Sequence, residues 1–139
     1  MQPTSRHTAE HYTWLSHGSS HGSSTVPSAI RPQQCDGWHL HRSAGLSVIE
    51  ERMPPGTAER RHIHRQATQF FYVLAGELTL ELDGVLHSLP VGTGCTVVAQ
   101  TPHQVFNRGE EDARFLVISE PPSHADRVTP EPASGISGR

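Results

Sequence analysis

The sequence predicts a single all-β domain, a sandwich or small barrel of short strands, and three observations carry that prediction. Glu77-Leu-Thr-Leu-Glu-Leu82 alternates polar and apolar residues with the period of two that a half-buried strand requires. Twelve Gly and eleven Pro spread over 139 residues punctuate the chain at close intervals. No window repeats its apolar residues at the spacing of an amphipathic helix, so parallel α/β units are disfavoured.

The elements follow in order. Gly45 to Met53 reads as a strand that ends at Pro54-Pro55-Gly56, where proline presets φ and glycine supplies the positive φ of a type II turn. Thr68 to Leu74 is β-branched and aromatic. Glu77 to Leu82 should turn Leu78, Leu80 and Leu82 inward and Glu77, Thr79 and Glu81 toward water. Asp83-Gly84 then marks a tight hairpin into Val85 to Leu89. Gly94 to Ala99, His103 to Asn107 and Ala113 to Ser119 complete at least seven strands, and Asn107 is placed to cap the turn into Arg108-Gly109.

Three segments follow from composition. Residues 1–35 are polar and rich in Ser, Gly and His, and read as a flexible arm with one docked piece around Tyr12-Thr-Trp14-Leu15. Residues 36–120 hold the strands. Residues 121–139 carry four prolines and no apolar pattern; they should form an irregular tail, and removing residues 125–139 should cost little stability.

Composition also excludes classes of function. The net charge is −3 and all eleven basic residues are arginine, so no general attraction to nucleic acid is expected. With no lysine in the chain, Schiff-base chemistry and a lysine base are ruled out. The arginine-only bias fits a GC-rich bacterial genome. Cys35 and Cys95 are not spaced as a metal pair and should be free thiols. The N-terminus lacks an apolar stretch and no run approaches 18 apolar residues, so a cytoplasmic protein without membrane insertion is expected.

One stretch points to chemistry. His62 and His64 lie two apart, so on a strand both imidazoles reach the same face. His103, about 40 residues on, can join them from a separate strand. A pair of imidazoles and a distant third suit a divalent transition metal better than magnesium or calcium. His39 and His41 share the spacing without the downstream partners, and are expected not to hold the principal metal. His17 and His21 belong to the Ser/Gly run.

With those residues placed, the chain resembles the cupin superfamily, in the manner of a small single-domain, type-2-like cupin. Its first motif, Gly-x5-His-x-His-x(3,4)-Glu-x6-Gly, aligns with Gly56, His62, His64, Gln69 and Gly76, with Gln69 standing where Glu is usual. The second, Gly-x5-Pro-x-Gly-x2-His-x3-Asn, aligns with Gly92, Val98, Gln100, His103 and Asn107; Val98 and Gln100 replace its Pro and second Gly. The likeness covers roughly residues 45 to 120. It implies a cupin jelly-roll β-barrel (a double-stranded β-helix) with irregular N- and C-terminal tails, dimerisation through an edge strand, and a metal held by His62, His64, Gln69 and His103. Zn, Fe, Ni, Mn and Cu all suit such donors.

Gln69 sharpens the functional expectation. An amide oxygen carries no charge, so a three-His, one-Gln shell leaves a divalent ion near +2 and favours Lewis-acid polarisation of a bound oxygen. It also removes a base that Glu would provide. The expected function is a metal-dependent enzyme with isomerase- or lyase-type chemistry on a small polar oxygenated molecule. A non-haem iron dioxygenase and a non-catalytic ligand sensor are the alternatives. Phe71, Val73 and Arg60 are the expected pocket residues. Arg60, Arg61 and Arg65 flank the motif, and one of them is placed to orient an acidic group at the mouth.

Overall fold

A computed structural model describes residues 3–17, 34–123 and 126–130. The expectation for His21 lies outside these residues. The described chain forms eleven strands and no helix: β1 (Glu10–Leu15), β2 (Gln34–Arg42), β3 (Ser47–Met53), β4 (Ile63–His64), β5 (Thr68–Ala75), β6 (Glu77–Leu82), β7 (Val85–Pro90), β8 (Gly94–Val97), β9 (His103–Phe106), β10 (Ala113–Glu120) and β11 (Arg127–Val128). No helix is long and apolar enough to cross a membrane among them.

The strands pair antiparallel in three sheets. A six-stranded sheet runs β1-β2-β3-β10-β5-β8, a three-stranded sheet runs β7-β6-β9, and β11 pairs with β4. Met53, Phe71, Val73 and Phe115 from the large sheet meet Leu78, Leu80 and Val105 from the smaller one in a common core. This is the jelly-roll, double-stranded β-helix arrangement predicted above, with one correction. The sheets face each other without hydrogen-bonding into a closed barrel.

Turn chemistry sits where the residues demand it. Gly56 has φ +82°, and the two-residue loop Asp83-Gly84 has φ of +48° and +93°, the double-positive pattern of a type I′ hairpin. The Asn107 side chain accepts from the Gly109 amide at 2.9 Å and donates to the carbonyls of Met53 and Glu111 at 2.7 and 2.8 Å. Cys35 and Cys95 are both free thiols.

Four features depart from the sequence reading. Leu78 and Leu80 are buried as expected, but Thr79 and Glu81 on the opposite face are buried too, at 7% and 8% exposed. Part of the cause is Arg61, whose guanidinium covers Glu81 through bonds of 2.8 and 3.0 Å. That pairing also takes Arg61 out of the candidate mouth. β2 was not anticipated because its inward residues include Cys35 and Gly37, which give no apolar alternation. The docked N-terminal piece is a full edge strand, β1, registered against β2 from Glu10↔His39 to Leu15↔Gln34.

The last departure is at the other end, where residues beyond Pro121 are not wholly irregular. β11 pairs Arg127 with His64 and Val128 with Ile63. Just before it, the Asp126 carboxylate accepts backbone amides of Arg65, Gln66 and Ala67 at 2.8–2.9 Å. Those amides follow the end of β4, and only that of Arg65 has a second partner, the Asp126 carbonyl at 3.2 Å, so the carboxylate anchors the segment through backbone donors, not apolar burial.

Candidate metal centre

His62 and His103 lie on neighbouring chain segments that bridge antiparallel, each amide bonding the other's carbonyl at 2.9 Å. The bridge fixes both Cα positions, and local bonds then fix the rings. His62 Nδ1 lies 2.8 Å from the Arg60 carbonyl, and His103 Nδ1 lies 2.9 Å from the Thr101 carbonyl. A carbonyl only accepts, so each Nδ1 carries the proton and each Nε2 presents a lone pair. His64, two residues from His62 and on the same face, brings its Nε2 to 3.1 Å from that of His62.

All three histidines are buried, and one nitrogen from each lies within 4.8 Å of the others. Burial works against a charged imidazole, and the neighbouring cations add to it. Both effects push His62 and His64 down to about 3, and His103 also below its ordinary value. The triad is therefore neutral at physiological pH, the state in which imidazole ligates metal.

Two buried polar atoms that can face the site have no hydrogen-bond partner: His103 Nε2 and Gln69 Oε1. Buried polar groups are normally satisfied, so such a cluster asks for a missing partner. Gln69 lies on β5, and its amide nitrogen donates to Ser119 Oγ at 3.0 Å and Ser123 Oγ at 3.3 Å. With the amide nitrogen so engaged, its oxygen is left free. Donors bound to one ion at ~2.1 Å sit roughly 3 Å apart, the spacing of the His62 and His64 nitrogens. A transition-metal ion fits the three imidazole nitrogens, and Gln69 Oε1 is an unpartnered oxygen on the wall that His62 and His64 share.

The centre opens into a cavity of about 270 Å³ lined by His62, His64, Gln69, Phe71, Val117 and Ile49 on one side and Tyr12, Glu51, Glu59 and Arg127 on another. Those last four also line an outer cavity of about 550 Å³, together with Arg60 and Trp14. Of the expected pocket residues, Phe71 thus lines the inner cavity, Arg60 lines the outer one, and Val73 lies fully buried in the apolar core. His39 reaches the inner cavity wall beside Tyr12, with ring centroids 5.0 Å apart, while His41 is exposed. Arg65 is exposed and does not line either cavity.

Tyr12, Glu51, Glu59 and Arg127 were not singled out from the sequence. For Glu51 a signal existed: it alternates with Ile49 and Met53, so it occupies an inward position of β3. Tyr12 and Arg127 come from the flanking strands, whose pairing no local pattern reveals.

Residues 49–119 match the family model described as a cupin domain. Among curated relatives, Protein SchB of Streptomyces halstedii is 31% identical over 66% of this chain and 59% of its own length. The oxalate-binding protein of Thermotoga maritima is 27% identical over 57% of this chain and 64% of its own length. The chain thus spans less than two thirds of either relative. A solved structure described as a predicted oxalate decarboxylase from Thermotoga maritima superposes with a TM-score of 0.70 over 87% of this chain and 100% of that one, at 16% identity, a likeness of fold.

Proposed function

The chain belongs to the cupin domain family, and from that premise we propose that it is a metal-dependent enzyme acting on a small polar oxygenated molecule by isomerase- or lyase-type chemistry. One observation carries the reading. Three neutral imidazoles cluster within ligating reach of one another, and His62, His64 and Gln69, whose amide oxygen is unpartnered, line a cavity that also holds titratable groups able to move protons.

His62, His64, His103 and Gln69 would hold the ion. Because all four donors are neutral, the bound ion would keep close to its full charge and polarise a ligand oxygen. The chain's own residues supply the rest. Phe71, Val117 and Ile49 form an apolar wall that keeps water from surrounding the ligand. Arg127, facing both cavities, offers a fork of donors to a carboxylate or hydroxyl entering from outside. The 270 Å³ chamber suits a molecule of a few carbons and oxygens. A relative named for binding oxalate is consistent with a small oxygen-rich acid.

The test is elemental analysis of untagged protein, followed by turnover of a panel of uronates, hydroxy-acids, diketones and catechol-like compounds with and without oxygen. One transition-metal ion per chain and turnover under strict anaerobiosis are expected. Oxygen uptake that requires Fe(II) would instead establish a dioxygenase. Metal-free protein that cannot be loaded would defeat both readings.

A further inference from the structure

The junction of the two cavities is built by an arrangement that the histidine triad does not require. Tyr12 on β1, Gly37 on β2 and Glu51 on β3 stand side by side across three adjacent strands. The middle position has no side chain, and the Tyr12 ring occupies the vacated space: a Cβ added at Gly37 would lie 2.1 Å from Tyr12 Cζ. Passing over Gly37, the Tyr12 hydroxyl donates to Glu51 Oε2 at 2.8 Å. The carboxyl is thereby held at the wall of the inner cavity, which it shares with His62, His64 and Gln69.

We propose that the Glu51 carboxyl, held by Tyr12 across Gly37, is the proton-exchanging group of this site, giving a proton to and taking one from a ligand seated between it and the triad. The proposal rests on the metal-enzyme reading above and names the acid and base that a neutral Gln69 cannot be. Tyr12 and Gly37 lie outside residues 49–119, the span that matches the family domain.

The groups facing Glu51 set its charge. Tyr12 comes from β1, Cys35 and His39 from β2, Glu59 from the β3–β4 connection, His62 and His64 from the triad, and Arg127 from β11. Burial disfavours the carboxylate, the Glu59 carboxylate adds repulsion, and the Tyr12 bond and Arg127 only partly offset them. The Glu51 carboxyl is pushed up to about 8 and is neutral at pH 7. Arg127 lies 3.4 Å from Glu59 and favours the charged form there, while Glu51 meets both burial and the repulsion of that carboxylate.

A neutral acid at that wall performs a balanced step. The Glu51 O–H bond breaks as its proton passes to a ligand carbonyl oxygen. The carboxylate so formed removes a proton from the adjacent C–H, whose electron pair becomes the C=C bond of the enol. Glu51 ends protonated as it began, and no oxidant or reductant is consumed.

The experiment titrates the carboxylic-acid C=O infrared band of the full chain, metal-free and loaded with Zn(II), in wild type, Glu51→Gln and Tyr12→Phe. In metal-free wild type a band should vanish around pH 8. Zn(II) should move that midpoint lower, since a nearby dication favours the carboxylate. Tyr12→Phe should move it higher, because the lost hydrogen bond favoured the charged form. Glu51→Gln should lack the band while binding as much Zn(II) as wild type. With whichever panel compound turns over, Glu51→Gln should lose about 100-fold or more in kcat with KM little changed. A wild type without the band, a band that survives Glu51→Gln, a midpoint that bound Zn(II) leaves unmoved, or full kcat in Glu51→Gln each overturns the proposal. Failure of wild type to bind Zn(II) defeats the metal reading separately, and the metal-free titration then decides Glu51 alone.

Discussion

At the level of single residues, the candidate site divides into proposed ligand donors that a local motif reveals and wall residues that it does not. His62, His64 and Gln69 lie within one short stretch, and His103 joins them through the antiparallel bridge to His62. Strand parity and spacing made the histidines legible, and the resemblance to the cupin motif added Gln69. Removing one donor forfeits a bond that the remaining groups cannot rebuild, so His62→Ala or His103→Ala should abolish stoichiometric metal binding by elemental analysis. His41→Ala should not, since that ring is exposed. His39→Ala should also leave metal content intact, although the ring reaches the cavity wall. One metal per chain retained in His62→Ala would remove the assignment. Gln69→Glu asks a different question. An anionic oxygen should tighten metal binding while partly neutralising the ion, so anaerobic turnover should fall if polarisation drives the reaction. It would also place a charge where the amide nitrogen now donates to Ser119 and Ser123, turning two donors into acceptors facing hydroxyls. Both hydroxyls can rotate to donate, so the fold should survive the change.

At the level of elements, what escaped sequence reading was the contribution of the flanks. β6 and its hairpin were legible because alternation and an Asp-Gly pair are local signals. β2 was not, because its buried positions are occupied by a thiol and a glycine. Gly37 has a purpose that only neighbouring strands disclose: it is the gap across which Tyr12 reaches Glu51. Gly37→Ala should therefore displace the Tyr12 ring and lower the melting temperature, with metal content unchanged. An unaltered tyrosine environment by near-ultraviolet circular dichroism would contradict that packing. The C-terminal segment pairs with β4 and so has a part in stability that its composition does not suggest. Truncation after Ser123 removes β11, the Asp126 carboxylate that satisfies three backbone amides, and Arg127 from both cavities. A fall of several degrees in melting temperature is expected, and Asp126→Ala in the full chain should reproduce part of it. A truncated protein as stable as the full chain would show that β11 adds no more than a loose bridge.

At the level of the whole molecule, buried titratable groups from three strands and one connection set how metal-free stability depends on pH. His62 and His64 are held near 3 against an ordinary value of 6.5. Between those limits the unfolded chain binds protons that the folded one refuses, so stability rises with pH up to about 6.5 and is lost as pH falls toward 3. His103 is lowered in the same direction and adds to that limb. Glu51 acts oppositely. Its folded value of about 8 stands above the ordinary 4.5, so from pH 4.5 to 8 the folded chain keeps a proton that the unfolded chain has released. Its contribution is fully present below 4.5 and is lost as pH rises through 8; Glu59, also raised, shares that sign. Below 6.5 the histidines outnumber Glu51 and stability climbs with pH, while from 6.5 to 8 the acids act without them. Metal-free protein should therefore melt highest near pH 6.5 and lose stability on both sides. Glu51→Gln should flatten the decline between pH 6.5 and 8 and leave the acid limb unchanged. Thermal melts at constant ionic strength across pH 4 to 9 read both limbs directly. A melting temperature that keeps rising from pH 6.5 to 8 in metal-free wild type would mean that Glu51 is already ionised at neutral pH. The carboxyl would then serve the cavity as a fixed charge, not as a proton store.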